Sequence, residues 1–286
     1  MTRVLLIILS FTLSVQLFAQ EEDKGVWDRY FRVLPEEQSY HVYGQAFLKQ
    51  LNPNSIKAFV WNIKKAEKPR WKKEFETYAT DRDLILLQEA YKNPLFNNTT
   101  MGLLNYRWDM AISMLYLMDN ETPTGTMIGS RINPTEVFIK HSPDGESVVN
   151  TPKSMTFAKY PIKGMSDELL VISIHGINIT DYASFTRHMD QAAEHLDKHQ
   201  GPILFAGDFN TRTQARTHYV LNMMRRYGLK EIHFKNGHRR MKFKFTPNYL
   251  DYGFIRGLKV KTAHVDGDSA GSDHKPMLME LEIAQK

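Results

Sequence analysis

The chain of 286 residues contains no cysteine. Disulfide stapling, thiolate nucleophiles and thiolate-bound zinc are thereby excluded, and a metal centre has to be assembled from Asp, Glu, Asn and His, a donor set that favours hard cations. The sequence also lacks low-complexity segments and any internal repeat of solenoid period. A long apolar run is missing too. Val4 to Phe18 is interrupted by Ser10, Thr12, Ser14 and Gln16, and it falls short of the ~20 residues that a membrane-spanning helix requires. With Arg3 before it and Ala19 after it, the stretch reads as a signal peptide over residues 1–19. The mature chain is then periplasmic or secreted, with an uncleaved membrane anchor as the alternative.

What is present can bury one large core, since 42% of the residues are hydrophobic. The formal charge is +5, and Arg3 is the one charged residue among 1–19, so 5 − 1 leaves +4 on the mature chain. That balance is compatible with a polyanionic partner without requiring one. The dense basic run is Lys235, His238, Arg239, Arg240, Lys242 and Lys244, interleaved with Phe234, Met241, Phe243 and Phe245. It reads either as a solvated strand pair or loop, or as a grip on a phosphate backbone to which Arg239 and Arg240 would contribute. Residues 20–54, polar and rich in Glu, Gln, Pro and Asn, read as a leader laid over the surface, and residues 55–286 as a single domain. No obligate protein partner and no stable membrane span in the mature chain are expected.

Short aliphatic or β-branched runs bounded by turn residues predict strands at Ile56 to Trp61, Leu84 to Leu87, Ala111 to Leu117, Thr126 to Gly129, Glu136 to Ile139, Ser154 to Tyr160, Leu169 to His175, Pro202 to Ala206, Leu250 to Ile255, Lys259 to His264 and Met277 to Leu281. Helical spacing is clearest from Asp181 to His199, through Phe185, Met189, Ala192, Ala193 and Leu196, with Gly201 as the stop; Glu67 to Thr80 and Gln214 to Tyr227 are weaker candidates. Many strands with interspersed helices give a layered α/β or α+β fold. His188, His195 and His199 are assigned to a solvated face of the first helix. The four tryptophans, Trp27, Trp61, Trp71 and Trp108, are read as packing residues rather than base-stacking platforms.

The polar residues of interest follow the apolar strands directly: Asn62, Gln88-Glu89, His175 with Asn178, and Gly207-Asp208-Phe209-Asn210. Groups placed in this way can converge at one edge of a sheet, where loops face a substrate. Gly207 permits the tight exit from its strand. Glu89 and Asp273 offer charged oxygen ligands, Asp208 a carboxylate for metal or water, and Asn62 and Asn210 neutral donors, a set that suits phosphoester cleavage around a hard cation. Asp251 can hydrogen-bond one nitrogen of His274 and fix its tautomer.

The series Trp61-Asn62-Ile63, Leu86-Leu87-Gln88-Glu89-Ala90, Ile174-His175-Gly176-Ile177-Asn178, Gly207-Asp208-Phe209-Asn210, Leu250-Asp251-Tyr252 and Ser272-Asp273-His274-Lys275-Pro276 resembles, in order, the motifs of the endonuclease/exonuclease/phosphatase superfamily. It is most similar to the bacterial YafD-like branch and covers residues 56 to about 282. The resemblance implies an α/β (α+β) four-layer sandwich of two packed mixed β-sheets flanked by helices, and a magnesium or manganese site. It implies Glu89, Asn62 and Asp273 at the metal and substrate, Asp208 as the water-activating carboxylate with Asn210 beside it, His274 as catalytic histidine oriented by Asp251, and His175 as a second histidine near the phosphate. Asn178, Arg239 and Arg240 complete the expected substrate contacts. The substrate would be a phosphoester, DNA or RNA first and a smaller or lipid-linked ester second, with a non-catalytic binding protein on the same fold as the third reading. Lys64 stands two residues after Asn62 where DNA-repair members carry an acid, and Gly253 interrupts the strand after Asp251; both argue against a repair role. Residues 91–160 carry no assignable motif.

Overall fold

The computed structural model describes residues 27–243 and 246–284. The expected signal peptide lies outside the described residues, as do Lys244 and Phe245. Fourteen strands form two mixed sheets among the described residues. In the first, β3 (Ile56–Asn62) and β4 (Leu84–Tyr91) lie parallel, joined through helix α1 (Trp71–Ala79). In the second, β9 (Glu168–His175) and β10 (Ile203–Asp208) lie parallel, joined through α3 (Tyr182–Lys198). A parallel pair needs such a crossover, because the chain must return to the starting edge before the next strand begins.

Around β3 and β4 the first sheet adds β5 (Arg107–Tyr116), β6 (Thr122–Ser130), β13 (Leu258–Val265) and β14 (Met277–Ile283); β14 runs antiparallel to β3. The second adds β7 (Glu136–His141), β8 (Ser154–Pro161), β11 (Lys230–Glu231) and β12 (Asp251–Arg256), with β12 antiparallel to β10. The segment read as a surface leader is in part structural: β1 (Phe31–Arg32) and β2 (Tyr40–Gly44) pair with β5. Both stay largely exposed, as edge strands with an open face can.

Alternation along the strands creates three apolar layers. Ile56, Ala58, Val60, Leu84 and Leu86 point inward against Val171, Leu204 and Ala206 of the other sheet. Phe59, Trp61, Ile85 and Leu87 point outward onto Trp71 and Phe75 of α1. Leu170, Ile172, Ile203 and Phe205 point outward from the second sheet onto Phe185, Met189 and Leu196 of α3 and Val220 of α4 (Gln214–Arg226). A period of two in each strand and helical spacing in α3 thus produce the four-layer sandwich that the motifs imply. Trp61, Trp71 and Trp108 are fully buried packing residues, whereas Trp27 is half-buried at the start of the described chain.

The histidine face of α3 is corrected. His188 is fully buried and its Nδ1 accepts from the Ile177 backbone N–H at 3.1 Å. Three residues after Phe185 and four before Ala192, it belongs to the buried stripe. His195 is half-buried against Phe138 and Phe157, and His199 Nε2 meets the backbone oxygens of Glu168 and Pro202. Gly253 does not interrupt its strand: it pairs with Ala206 inside β12. Helix α2 (Pro94–Met101), within the stretch lacking a motif, is capped by Asn93, whose side chain accepts from the Phe96 N–H.

Candidate active site

Topology explains why scattered residues meet. The carboxyl ends of the parallel strands β3, β4, β9 and β10 lie at one edge of the sandwich, and the antiparallel strands β12 and β14 begin there. Asn62 pairs with Gln88, Asp208 with His175 on one side and with Asp251 on the other. Asp273-His274 immediately precedes β14, whose Met277 pairs with Val60. Gly207 has φ +145°, and a Cβ there would lie 2.2 Å from the Ile174 oxygen, so β10 can approach β9 in this way only with glycine.

Glu89 sits in β4 at a register irregularity opposite β6, with φ +52°, and Asn210 leaves β10 with φ +51°. Left-handed backbone at non-glycine residues costs about 1–3 kcal/mol, and it collects where side chains are aimed for use. Beneath them, Gln88 donates from Nε2 to Ser173 Oγ at 3.1 Å, joining the two sheets. Ser272 Oγ donates to the Asn62 oxygen at 2.7 Å, and Trp61 Nε1 donates to the His274 oxygen at 3.0 Å. These bonds fix the His274 loop to the end of β3.

The centre is Asp208, 2% exposed. Its Oδ1 accepts from the Asn210 N–H at 2.9 Å and its Oδ2 from Asn62 Nδ2 at 3.0 Å. Nε2 of His274 stands 3.7 Å from Asp208 Oδ2, and Nε2 of His175 stands 3.8 Å from the same atom. Both separations exceed a hydrogen bond, so the two imidazoles and the carboxylate can address one common oxygen. On its other side His274 Nδ1 lies 2.9 Å from both oxygens of Asp251. Asn210 Nδ2 donates to the Gly176 oxygen at 2.8 Å.

Charge divides the two histidines. Burial opposes the imidazolium of His274, but the carboxylates of Asp251 and Asp208 outweigh it and raise its pKa. Burial lowers His175 well below the ordinary range, helped by Lys153, and holds it neutral. Burial also raises the pKa of Asp208, with Asp251 adding to it and His274 opposing. Neighbouring groups pushed apart in this way take different proton roles.

Each expected metal residue has a definite place. Glu89 Oε1 accepts from Asn62 Nδ2 at 3.3 Å, and Glu89 Oε2 is 2.9 Å from Lys65 Nζ. Burial disfavours the Glu89 carboxylate, yet the ammonium groups of Lys65 and Lys153 hold its pKa well below the usual range. Asp273 lines a cavity together with Glu89, His175, Asp208 and His274, but pairs with Lys64 Nζ at 2.8 Å. Asp208, Asp251 and His274 also bring ligand atoms within 4.8 Å of one another. Asp251 is nevertheless committed to His274, which leaves Glu89 and Asp273, with side chains 24% and 39% exposed and each paired with a lysine, as the oxygen donors that face solvent. Carboxylate oxygens are the donor type of a hard divalent cation, which at these two residues would take the place now held by the ammonium groups of Lys65 and Lys64.

The cavity, about 420 Å³, is lined by Glu89, His175, Asp208, Asn210, Asp273 and His274, together with Asn178, whose Oδ1 has no partner among the described residues. Sequence reasoning missed Arg212. It lines the same cavity, stacks its guanidinium 4.6 Å from the Phe243 ring, and keeps a buried Nε without a hydrogen bond among the described residues. Its position two residues after Asn210 is the signal that was available. Conversely, Arg240 is not a free cation: it is buried, donates to the Asp251 oxygen at 3.1 Å, pairs with Glu231, and lies over Tyr249 at 4.1 Å. Arg239 is tied to the Gly267 oxygen and Asp268. Of the basic run, Lys242 reaches the cavity.

The endonuclease/exonuclease/phosphatase family model matches residues 59–274. Similar relatives are the UPF0294 protein of Erwinia tasmaniensis, 28% identical with 88% of this chain and 91% of that one covered, and that of Vibrio parahaemolyticus, 29% identical with 82% and 81% covered. Among solved structures, the endonuclease/exonuclease/phosphatase from Beutenbergia cavernae superposes with TM-score 0.63 at 15% identity, covering 81% of this chain and 72% of that one. The human Nocturnin catalytic domain with bound sulfate superposes with TM-score 0.56 at 16% identity, covering 88% and 100%.

Proposed function

Since this chain belongs to the endonuclease/exonuclease/phosphatase family, whose members are phosphoester hydrolases, we propose that it is an exported, divalent-metal-dependent phosphodiesterase acting on nucleic acid. The observation that carries the reading is the buried Asp251–His274 pair beside Asp208 and His175 in one polar cavity. Asp208, made more basic by burial, orients the attacking water and takes its proton. His274, held protonated by Asp251, donates to the phosphoryl or leaving oxygen, and neutral His175 contributes a hydrogen bond to the same group. Asn62 and Asn210 keep Asp208 from rotating. Glu89 and Asp273 would hold Mg²⁺ or Mn²⁺, which supplies charge neutralisation at the phosphoryl oxygens.

Arg212 supports a phosphate as the bound group, because a half-buried guanidinium whose Nε has no hydrogen-bond partner among the described residues matches phosphate geometry. Lys242 on the same side and the surplus of positive charge favour a polyanion. The test is turnover by purified protein of single-stranded and duplex DNA, RNA, sphingomyelin, inositol phosphates and an aryl phosphodiester, with magnesium or manganese. Turnover of a nucleic acid that weakens steeply with salt is expected; salt-insensitive turnover of a small phosphoester with none of DNA or RNA would reject the nucleic-acid assignment.

A further inference from the structure

The cleft does not end at the histidines. A second cavity, about 230 Å³, shares Glu89, His175 and Asn178 with the first and is walled by Lys65, Lys153, Tyr116 and Phe31. Phe31 also borders a third hollow, which carries Trp27. The three run on from one another, from Asp208 toward the N-terminal segment.

Lys65 Nζ lies 2.9 Å from Glu89 and Lys153 Nζ 3.2 Å from Glu146. An ammonium has three donors, so Lys153 with its one carboxylate contact, and Lys65 with Glu89 and the Tyr116 hydroxyl beside it, each keep a donor for another acceptor. The second oxygen of Glu146 receives the backbone N–H groups of Asn178 and Ile179 at 3.2 and 3.4 Å, which disperses its charge. Phe31 meets Tyr116 edge-on at 5.0 Å and lies nearly parallel to Trp27, at 20° and 6.2 Å. All three rings are half-buried, each keeping some exposed surface. Their placement depends on the two-residue pairing of β1 with β5, which sets Phe31 opposite Tyr116.

We propose that this second cavity is a subsite for the nucleotide flanking the scissile phosphodiester of a single-stranded nucleic acid, with Lys65 and Lys153 binding its phosphate and Phe31 its base. The inference rests on the phosphodiesterase reading and extends it. Cations beside partly exposed aromatic rings are what a single strand uses, since every base offers a face for stacking. In a duplex that face is occupied by neighbouring bases. A lipid headgroup or sugar phosphate would engage the lysines but would leave the rings without a role.

The experiment compares kcat/KM on an aryl phosphodiester, which fills the first cavity alone, with kcat/KM on a short single-stranded oligonucleotide. Binding of a labelled trinucleotide is measured in parallel. The wild-type protein is expected to favour the oligonucleotide at least ten-fold. Phe31→Ala and Lys153→Gln should each lower that preference about ten-fold, the size of one lost stack or phosphate contact, through KM and with matching loss of trinucleotide binding. Lys153→Arg should restore it. Turnover of the aryl ester with no oligonucleotide preference, or an unchanged preference in both variants, overturns the subsite and leaves the phosphodiesterase reading standing. Trinucleotide binding that needs Phe31 and Lys153, in a protein that turns over neither ester, supports the subsite and rejects the phosphodiesterase reading.

Discussion

At the scale of single residues, hydrogen-bond accounting separates cations that hold the fold from one that is available to a ligand. Arg216 and Arg256 donate to several backbone oxygens each, and Arg240 donates to Asp251 and Glu231. Arg212, facing the active-site cavity, has a buried Nε with no such partner. Removing a preorganised donor of this kind costs about 10²–10³ in turnover. Arg212→Ala should therefore lower kcat/KM about 100-fold with little change in melting temperature, and Arg212→Lys should recover it only in part; calorimetry and steady-state kinetics check both. Wild-type kinetics in Arg212→Ala would remove this residue from the site. Arg240→Ala should do the reverse. The loss of a buried pair and of stacking on Tyr249 should cost about 2–3 kcal/mol, read as a melting point lower by about 5–10 °C. An unchanged melting point in Arg240→Ala would contradict its structural assignment.

At the scale of elements, helix α3 shows what periodicity can and cannot convey. Its apolar stripe predicts its extent to within a residue or so at each end, because Phe185, Met189, Ala192 and Leu196 all face the sheet. His188 belongs to that stripe, yet its polarity invites a surface assignment, and only the Ile177 N–H that it accepts explains its burial. That environment has a consequence in pH. Burial lowers the His188 pKa from 6.5 to about 3. The folded state therefore binds this proton less readily than the unfolded state. The contribution is complete above pH 6.5 and is lost as pH falls toward 3, at up to about 1.4 kcal/mol per unit. His188→Gln, which does not titrate, should show a shallower loss of stability between pH 6 and 4 in denaturant unfolding, and a slope equal to wild type would contradict the assignment. Strand positions were legible for the same reason as the helix. The pairing of β1 and β2 with β5 was not, because strands of two and five residues that stay mostly exposed are too short to carry a clear alternating pattern.

At the scale of the whole molecule, the six motifs are legible because one topological fact gathers them: parallel strands end, and antiparallel neighbours begin, at the same edge of both sheets. Asn62, Glu89, His175, Asp208, Asn210, Asp251 and His274 could be named from the sequence, since each stands at or near the end or the start of an apolar run. Lys65 and Lys153 could not, because their importance depends on which cavity a loop faces rather than on a pattern along the chain, and Arg212 was marked only by standing two residues after Asn210. The basic run misled for the same reason: charge density in sequence does not say which cations are consumed inside the fold, as Arg240 is. The described residues contain no helix long and apolar enough to cross a membrane.

The central claim is that metal-assisted phosphodiester hydrolysis occurs at Asp208 and His274. The most direct measurement is turnover of an aryl phosphodiester by wild-type protein, by His274→Ala and by Asp208→Ala, each with Mg²⁺ or Mn²⁺, after chelation, and after the cation is restored. Wild-type turnover should vanish on chelation and return with the metal, while each variant, folded by circular dichroism, should retain less than about 1% of it. Chelator-resistant turnover, or wild-type rates in either variant, would contradict the account.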